Sequence, residues 1–250
     1  FTYTRDFGRT RLIVMDSRAG RVLHGTREMV DDVEWAWIVD KATGDFDHLL
    51  LGTSLPYLLA PAIHHLEAWN EAVCGGAWGG QAAKLGERMR QGLDLEHWAA
   101  FNTSFRKLTT LIEEVASGRR GTPPATIVAL SGDVHHAYLA EAGFPGTVDA
   151  RSRAYQAVCS PYRNPLGNHE RFVIRRLCTG YAARVTQTLA RAAGVPDPDI
   201  EWQLADPPIF DNQVATLELS GRSGWVKFER TRPEDGNHPV LHLTAARRLS

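Results

Sequence analysis

The sequence predicts an α/β fold with antiparallel strands towards its C-terminus. Short apolar runs that end in Gly, Ser or Pro read as buried strands. A helical pattern separates the first two of these runs, making a β-α-β unit, the building block of a sheet covered by helices. The last third strings short strands together with turn signals such as Ser220-Gly-Arg-Ser-Gly224, the pattern of antiparallel pairing.

In chain order, 11–16 is the first strand and runs into the loop Asp16-Ser-Arg18-Ala-Gly20. Asp31 and Glu34 have capping-box spacing, and Val33, Trp37 and Ile38 follow at helical intervals, so a helix is expected over 29–43, closed by Gly44. A second buried strand covers 47–54 and is stopped by Pro56. Residues 57–93 form a long excursion with helical stretches and a Gly-rich break, Cys74-Gly-Gly-Ala-Trp-Gly-Gly80; such insertions often carry function. Asp94 is expected to open the clearest helix, in which Leu95, Trp98, Phe101, Phe105, Leu108, Leu111, Ile112 and Val115 recur three or four apart as far as Gly118. Further strands are expected at 125–131, 137–142 and 155–159. A helical stretch follows at 170–193, then strands near 200–204, 213–219, 225–230 and 240–244, with turns at 220–224 and 233–236. There is no internal repeat or long linker, so one domain is expected over 1–250.

Composition narrows the function classes. The chain has 250 residues, 43% apolar and 23% charged, far from the composition of disorder. A net charge of −1 gives no reason to expect a nucleic-acid partner. No apolar run is long enough to span a bilayer. Cys74, Cys159 and Cys178 are odd in number and widely spaced, so three reduced, mostly buried thiols are expected, as in a cytoplasmic protein. The chain opens on Phe1 with no targeting signal, which leaves export open as well.

The sharpest chemical motif is Ser131-Gly132-Asp133-Val134-His135. A buried strand delivers a carboxylate and an imidazole two residues apart, a hard oxygen and a borderline nitrogen suited to first-row metal ions. Gly132 is expected to let the backbone turn tightly. The competing reading is a loop aspartate and a surface histidine that only cap the next strand.

This motif resembles the closing metal motif of calcineurin-like metallophosphoesterases. The Gly-Asp-x-His form is that of the alkaline phosphatase D (PhoD-like) branch. The resemblance extends over most of 10–145: Leu12-Ile-Val-Met-Asp16-Ser-Arg18 is similar to the family's strand followed by D-x-R, Glu34-Trp35 to its E-W, and Leu49-Leu-Leu-Gly-Thr-Ser54-Leu-Pro56 to the strand that bears H-x-P. It implies a four-layer α/β/β/α sandwich and a metal-dependent phosphatase or phosphodiesterase. Such an enzyme holds two divalent or trivalent ions (Fe, Ca, Zn or Mn) and acts on a phosphate ester. It also implies that Asp133 and His135 are metal ligands and that Arg18 grips phosphoryl oxygens. Asp16 and Ser54 then lie on the substrate side, Ser54 in the place of the H-x-P histidine. His136 is expected to point to the other face of its strand and to act beside the ligands. The family's other ligand motifs do not precede Asp16, so residues 1–250 are expected to be the C-terminal part of a single metallophosphatase domain. The rivals are a non-catalytic binding module that keeps the fold and another metal-dependent hydrolase.

Two further features are set aside. Gly167-Asn168-His169-Glu170 spells a phosphoesterase motif, but it stands after the closing motif and opens a helix, so Asn168 is expected to be a helix cap. His64 and His65 are adjacent on a helix, about 100° apart, and cannot share one ion; packing is expected of His64.

Overall fold

The computed structural model describes residues 1–250 apart from 24–26, 147–148, 164 and 235–237. Four parallel strands form its centre: β2 (Thr10–Met15), β3 (His48–Thr53), β4 (Thr126–Ser131) and β6 (Arg153–Val158). The sheet has seven strands in the order β1-β2-β3-β4-β6-β5-β7, with antiparallel β1 (Tyr3–Phe7) on one edge; on the other, β5 (Tyr138–Gly143) runs antiparallel to β6, and the edge strand β7 (Glu201–Leu204) pairs antiparallel with β5 and so runs with the central strands. Leu49 and Leu51 point to one face, where they pack with Ile13, Ile127 and Ala129 against α1 (Asp32–Lys41) and α4 (Asn102–Ser117). Leu50 and Val128 point to the opposite face and pack against Val226, Phe228 and Leu249. That second face is covered by a three-stranded antiparallel sheet, β10-β9-β8, made of β8 (Gln213–Ser220), β9 (Ser223–Glu234) and β10 (His238–Arg248). The order α/β/β supplies three of the four expected layers.

β3 and β4 are buried on both faces, which explains why they read as continuous apolar runs rather than as alternating ones. Each buried Leu or Ile contributes about 1.5–3 kcal/mol. Helix α1 is shorter than the expected 29–43: its C-cap is Ala42 rather than Gly44, and it starts at the capping box, where Asp31 accepts a hydrogen bond from the Glu34 amide at 2.7 Å. Removing such a cap costs about 1 kcal/mol.

Several expectations are corrected. The helix expected to open at Asp94 starts at Asn102. Asp94 instead ends α3 (Gly80–Leu93) in a left-handed conformation, φ 51°, and Trp98–Ala100 form a short 3-10 turn. Leu95, Trp98 and Phe101 are buried all the same, so burial alone extended the helical pattern. The stretch 170–193 is two helices, α5 (Asn168–Leu177) and α6 (Gly180–Ala192), with Thr179 capping the second. Asn168 is the first helical residue of α5, and Gly167 holds the cap position. The three thiols are unpaired but only half-buried. Residues 235 and 236 of the expected C-terminal turn lie outside the described residues. Among the described residues no helix is long and apolar enough to cross a membrane.

Candidate active site

Three neighbouring parallel strands bring their carboxyl ends together. β2 runs into the Asp16–Gly20 loop, β3 into Ser54 and β4 into Gly132–His135. This end of an open α/β sheet is where loops can converge on a ligand without disturbing the ladder.

Asp16 builds the first loop. Its Oδ1 accepts from the backbone amides of Arg18 at 3.2 Å and Ala19 at 2.8 Å. The chain then closes so tightly that a β-carbon on Gly20 would lie 2.7 Å from the Asp16 carbonyl oxygen. Asp16 therefore shapes the loop that presents Arg18, through the main chain of Arg18 rather than its guanidinium. Ser17 ties this loop to β3: its hydroxyl accepts from Thr53 Oγ1 at 2.9 Å and from the Ser54 amide at 3.2 Å, and meets Ser54 Oγ at 2.9 Å. Trp98 Nε1 donates to Thr53 Oγ1 at 3.1 Å. Ser17 is buried beneath the exposed Ser54.

The Arg18 guanidinium reaches past β3 to donate from Nη2 to Asp133 Oδ1. Arg18 is 52% exposed at its side chain and Asp133 24%, so the pair meets at an open mouth. The other Asp133 oxygen, Oδ2, lies 3.6 Å from His97 Nε2. That is a charge contact rather than a hydrogen bond, and the buried Nε2 has no hydrogen-bond partner. The far side of the His97 ring is firmly held. Nδ1 donates to Glu67 Oε1 at 2.6 Å, and the His97 amide donates to Glu67 Oε2 at 3.2 Å. Glu67 comes from α2 (Pro61–Cys74) and is 1% exposed. Burial works against a charged His97, but the carboxylates of Asp133 and Glu67 outweigh it and push His97 up to about 9. The His97 ring, and after it the Arg18 guanidinium, holds Asp133 below the usual carboxylate range against its own burial.

The motif loop is strained, though not where the sequence suggests. Gly132 has no left-handed backbone; Asp133 and His135 do, with φ 75° and 55°. Such conformations cost about 1–3 kcal/mol each in a non-glycine residue and persist only where the surroundings hold them. The His135 amide donates to Ser160 Oγ at 3.2 Å, and its ring is exposed. His136 turns inward. Its Nδ1 donates to the Val134 carbonyl at 2.7 Å, and its ring packs on Tyr138 and Phe210 with centroids 5.3 and 5.6 Å away. Burial pushes His136 down to about 4. The structure thus brings together Arg18, Asp133 and the Ser54 edge, and leaves His136 on the inner side of the loop.

His64 packs against Phe105 and Trp202 at 4.6 and 4.8 Å, and burial takes it down to about 3. Sequence reasoning missed Glu67 and His97. One signal was available: on α2, His64, Glu67 and Glu71 recur three and four apart, a polar stripe on a helix face that also carries buried Ala68.

Asp133 and His135 offer one oxygen-donor and one nitrogen-donor side chain to an ion. Among the described residues no group of three or more His, Cys, Asp or Glu side chains gathers to hold an ion. A metal shell needs about four to six ligands, and Arg18 already occupies one oxygen of Asp133. Asp133 and His135 find no third donor among the described residues, so these residues do not make up a metal site.

No protein-family model matches the sequence, and no curated protein matches it. The fold does match the solved structure of PhoD, with a TM-score of 0.52 and 10% identity over 100% of this chain. The chain spans 44% of that protein's length. At this identity the likeness speaks for the fold alone: the chain has a PhoD-like α/β architecture.

Proposed function

We propose that this chain carries part of the active site of a phosphoric ester hydrolase of the metal-dependent, PhoD-like kind, acting on phosphomonoesters or phosphodiesters. One observation carries the reading. Arg18 and Asp133 come from the ends of strands two apart in the sheet and meet at an open mouth on a strained loop. A guanidinium offers two parallel donors that match phosphoryl oxygens. Asp16 presents it, Ser54 forms the neighbouring edge, and His136 anchors the motif loop from inside. Asp133 and His135 are the two donors this chain brings to an ion; the rest of any ion's shell comes from outside the described residues.

The test uses the full-length protein with p-nitrophenyl phosphate and its bis-ester, beside metal analysis. The reading predicts hydrolysis of at least one ester and bound metal. Asp133→Ala should lose metal and about 10³-fold in kcat/KM, and Arg18→Ala about 10²-fold. Wild-type metal content and rate in both variants would sink it. The missing third donor favours a second reading, a phosphate-binding module without hydrolysis. That reading predicts no metal, no turnover, and phosphate binding that still depends on Arg18.

A further inference from the structure

We infer that Glu67 and His97 are positioning residues that set the orientation of the Asp133 carboxylate. The inference rests on the phosphoric ester reading, in which Asp133 is a working group. It starts from an unusual grip. Glu67 is buried and spends both oxygens on one residue, taking the ring Nδ1–H of His97 at 2.6 Å and its main-chain N–H at 3.2 Å. Ring and backbone of His97 are therefore fixed together, and the imidazole has little freedom to turn. The ring presents its unpartnered Nε2 to Asp133 Oδ2 at 3.6 Å.

Asp133 needs such a hold. Its backbone is left-handed at φ 75°, and the segment around it forms no regular structure. Nothing in a relaxed loop would keep its carboxylate aimed at the mouth. Arg18 holds Oδ1 from the open side, and His97 stands against Oδ2 from the interior. When a phosphoryl group draws Arg18 towards itself, the His97 side of this clamp remains, and Asp133 keeps its aim. Glu67 shares no hydrogen bond or ion pair with Asp133 among the described residues, so its influence runs through His97.

A mutant cycle in the full-length protein tests this. Glu67→Gln keeps the shape but can satisfy only one of the two N–H groups. It should lower kcat about 10- to 100-fold, as loss of a supporting group does, with KM changed by no more than about twofold, because ground-state binding is not its role. In a His97→Ala or Asp133→Asn background the same change should cost almost nothing further. His97→Gln, whose amide can still stand between the two carboxylates, should recover part of what His97→Ala loses. A Glu67→Gln protein with wild-type kcat overturns the inference. So do effects of Glu67→Gln and His97→Ala that simply multiply. If the wild-type protein hydrolyses neither ester, the hydrolase reading falls by itself, and the cycle is read instead in the equilibrium constant for urea unfolding. There Glu67 and Asp133 should couple by about tenfold, and the coupling should vanish in His97→Ala; independent effects overturn the inference.

Discussion

The two ends of the central strands hold the same residue types and use them in opposite ways. At the amino end of β3, His48 is fully buried and both ring nitrogens are satisfied. Nε2 donates to the Gly221 carbonyl at 2.9 Å, which leaves Nδ1 to accept from Thr126 Oγ1 at 2.8 Å. Beside it, Asp47 pairs with Arg9 at 3.0 Å and Arg222 at 3.3 Å. At the carboxyl end, His97, Asp133 and Arg18 repeat this inventory, but His97 Nε2 has no hydrogen-bond partner and Asp133 and His135 adopt left-handed backbone. A buried polar group normally finds its partner within the protein. The amino end obeys that rule and ties β3, β4 and the β8–β9 turn together. The carboxyl end departs from it, and such departures concentrate where a ligand completes the set.

The contrast breaks most visibly at His48. His48→Ala would strip partners from the buried Thr126 hydroxyl and from the Gly221 carbonyl in the exposed β8–β9 turn, and would empty a fully buried position. The expected loss is about 3 kcal/mol of stability, read by urea denaturation. Turnover per folded molecule should stay at the wild-type level. A fall in kcat at temperatures where the variant is fully folded would mean that the two ends are not separate.

His64 sharpens the contrast, because it too has a buried nitrogen without a partner, Nδ1, yet it faces an aromatic cage rather than a mouth. An orphaned nitrogen alone does not mark a site; what it faces does. Burial lowers His64 from 6.5 to about 3, so the folded state resists the proton that the unfolded chain accepts. Stability from this residue is complete above about pH 6.5 and drains away as pH falls towards about 3. By about pH 5 the loss should be near 2 kcal/mol relative to neutral pH. His64→Phe keeps a flat ring among Phe105 and Trp202 and should flatten that part of the acid limb. An unchanged slope between about pH 6.5 and 5 in the variant would assign the acid sensitivity to other groups.

Legibility in the sequence followed burial. β3 and β4 are buried on both faces and β2 on the face of Ile13 and Met15, and all three stand out as apolar runs. β1 is an exposed edge strand with no apolar run, and was not expected. The 3-10 turn at Trp98–Ala100 passed for helix because its buried side chains keep a spacing of three and four. In the site, the Asp133–His135 motif is local and readable, whereas contacts are not. Arg18 and Asp133 are separated by 115 residues, and Glu67 and His97 by 30. No periodicity encodes such pairings. The α/β class and the place of the Asp133–His135 motif at a strand end were therefore within reach of sequence reasoning, while the contacts behind Asp133 needed the fold.

The smallest expected effect separates support from chemistry within the carboxyl end itself. Ser17 lies directly between Arg18 and Asp16, yet it is buried and its hydroxyl is spent on Thr53 and Ser54. It shares no hydrogen bond with the Arg18 or Asp133 side chains among the described residues. Ser17→Ala would leave the Ser54 amide and the Thr53 hydroxyl each short of one bond, with Thr53 still accepting from Trp98 Nε1. The cost should be about 1 kcal/mol of stability. Because the loop after β2 is also held by the Asp16 carboxylate, Arg18 should keep its place, and kcat/KM should change by less than about threefold. A loss comparable to that of Arg18→Ala would show that the Ser17–Ser54 link, and not the Asp16 turn, aims the guanidinium. The division between a supporting floor and a working mouth would then have to be redrawn one layer deeper, at β3.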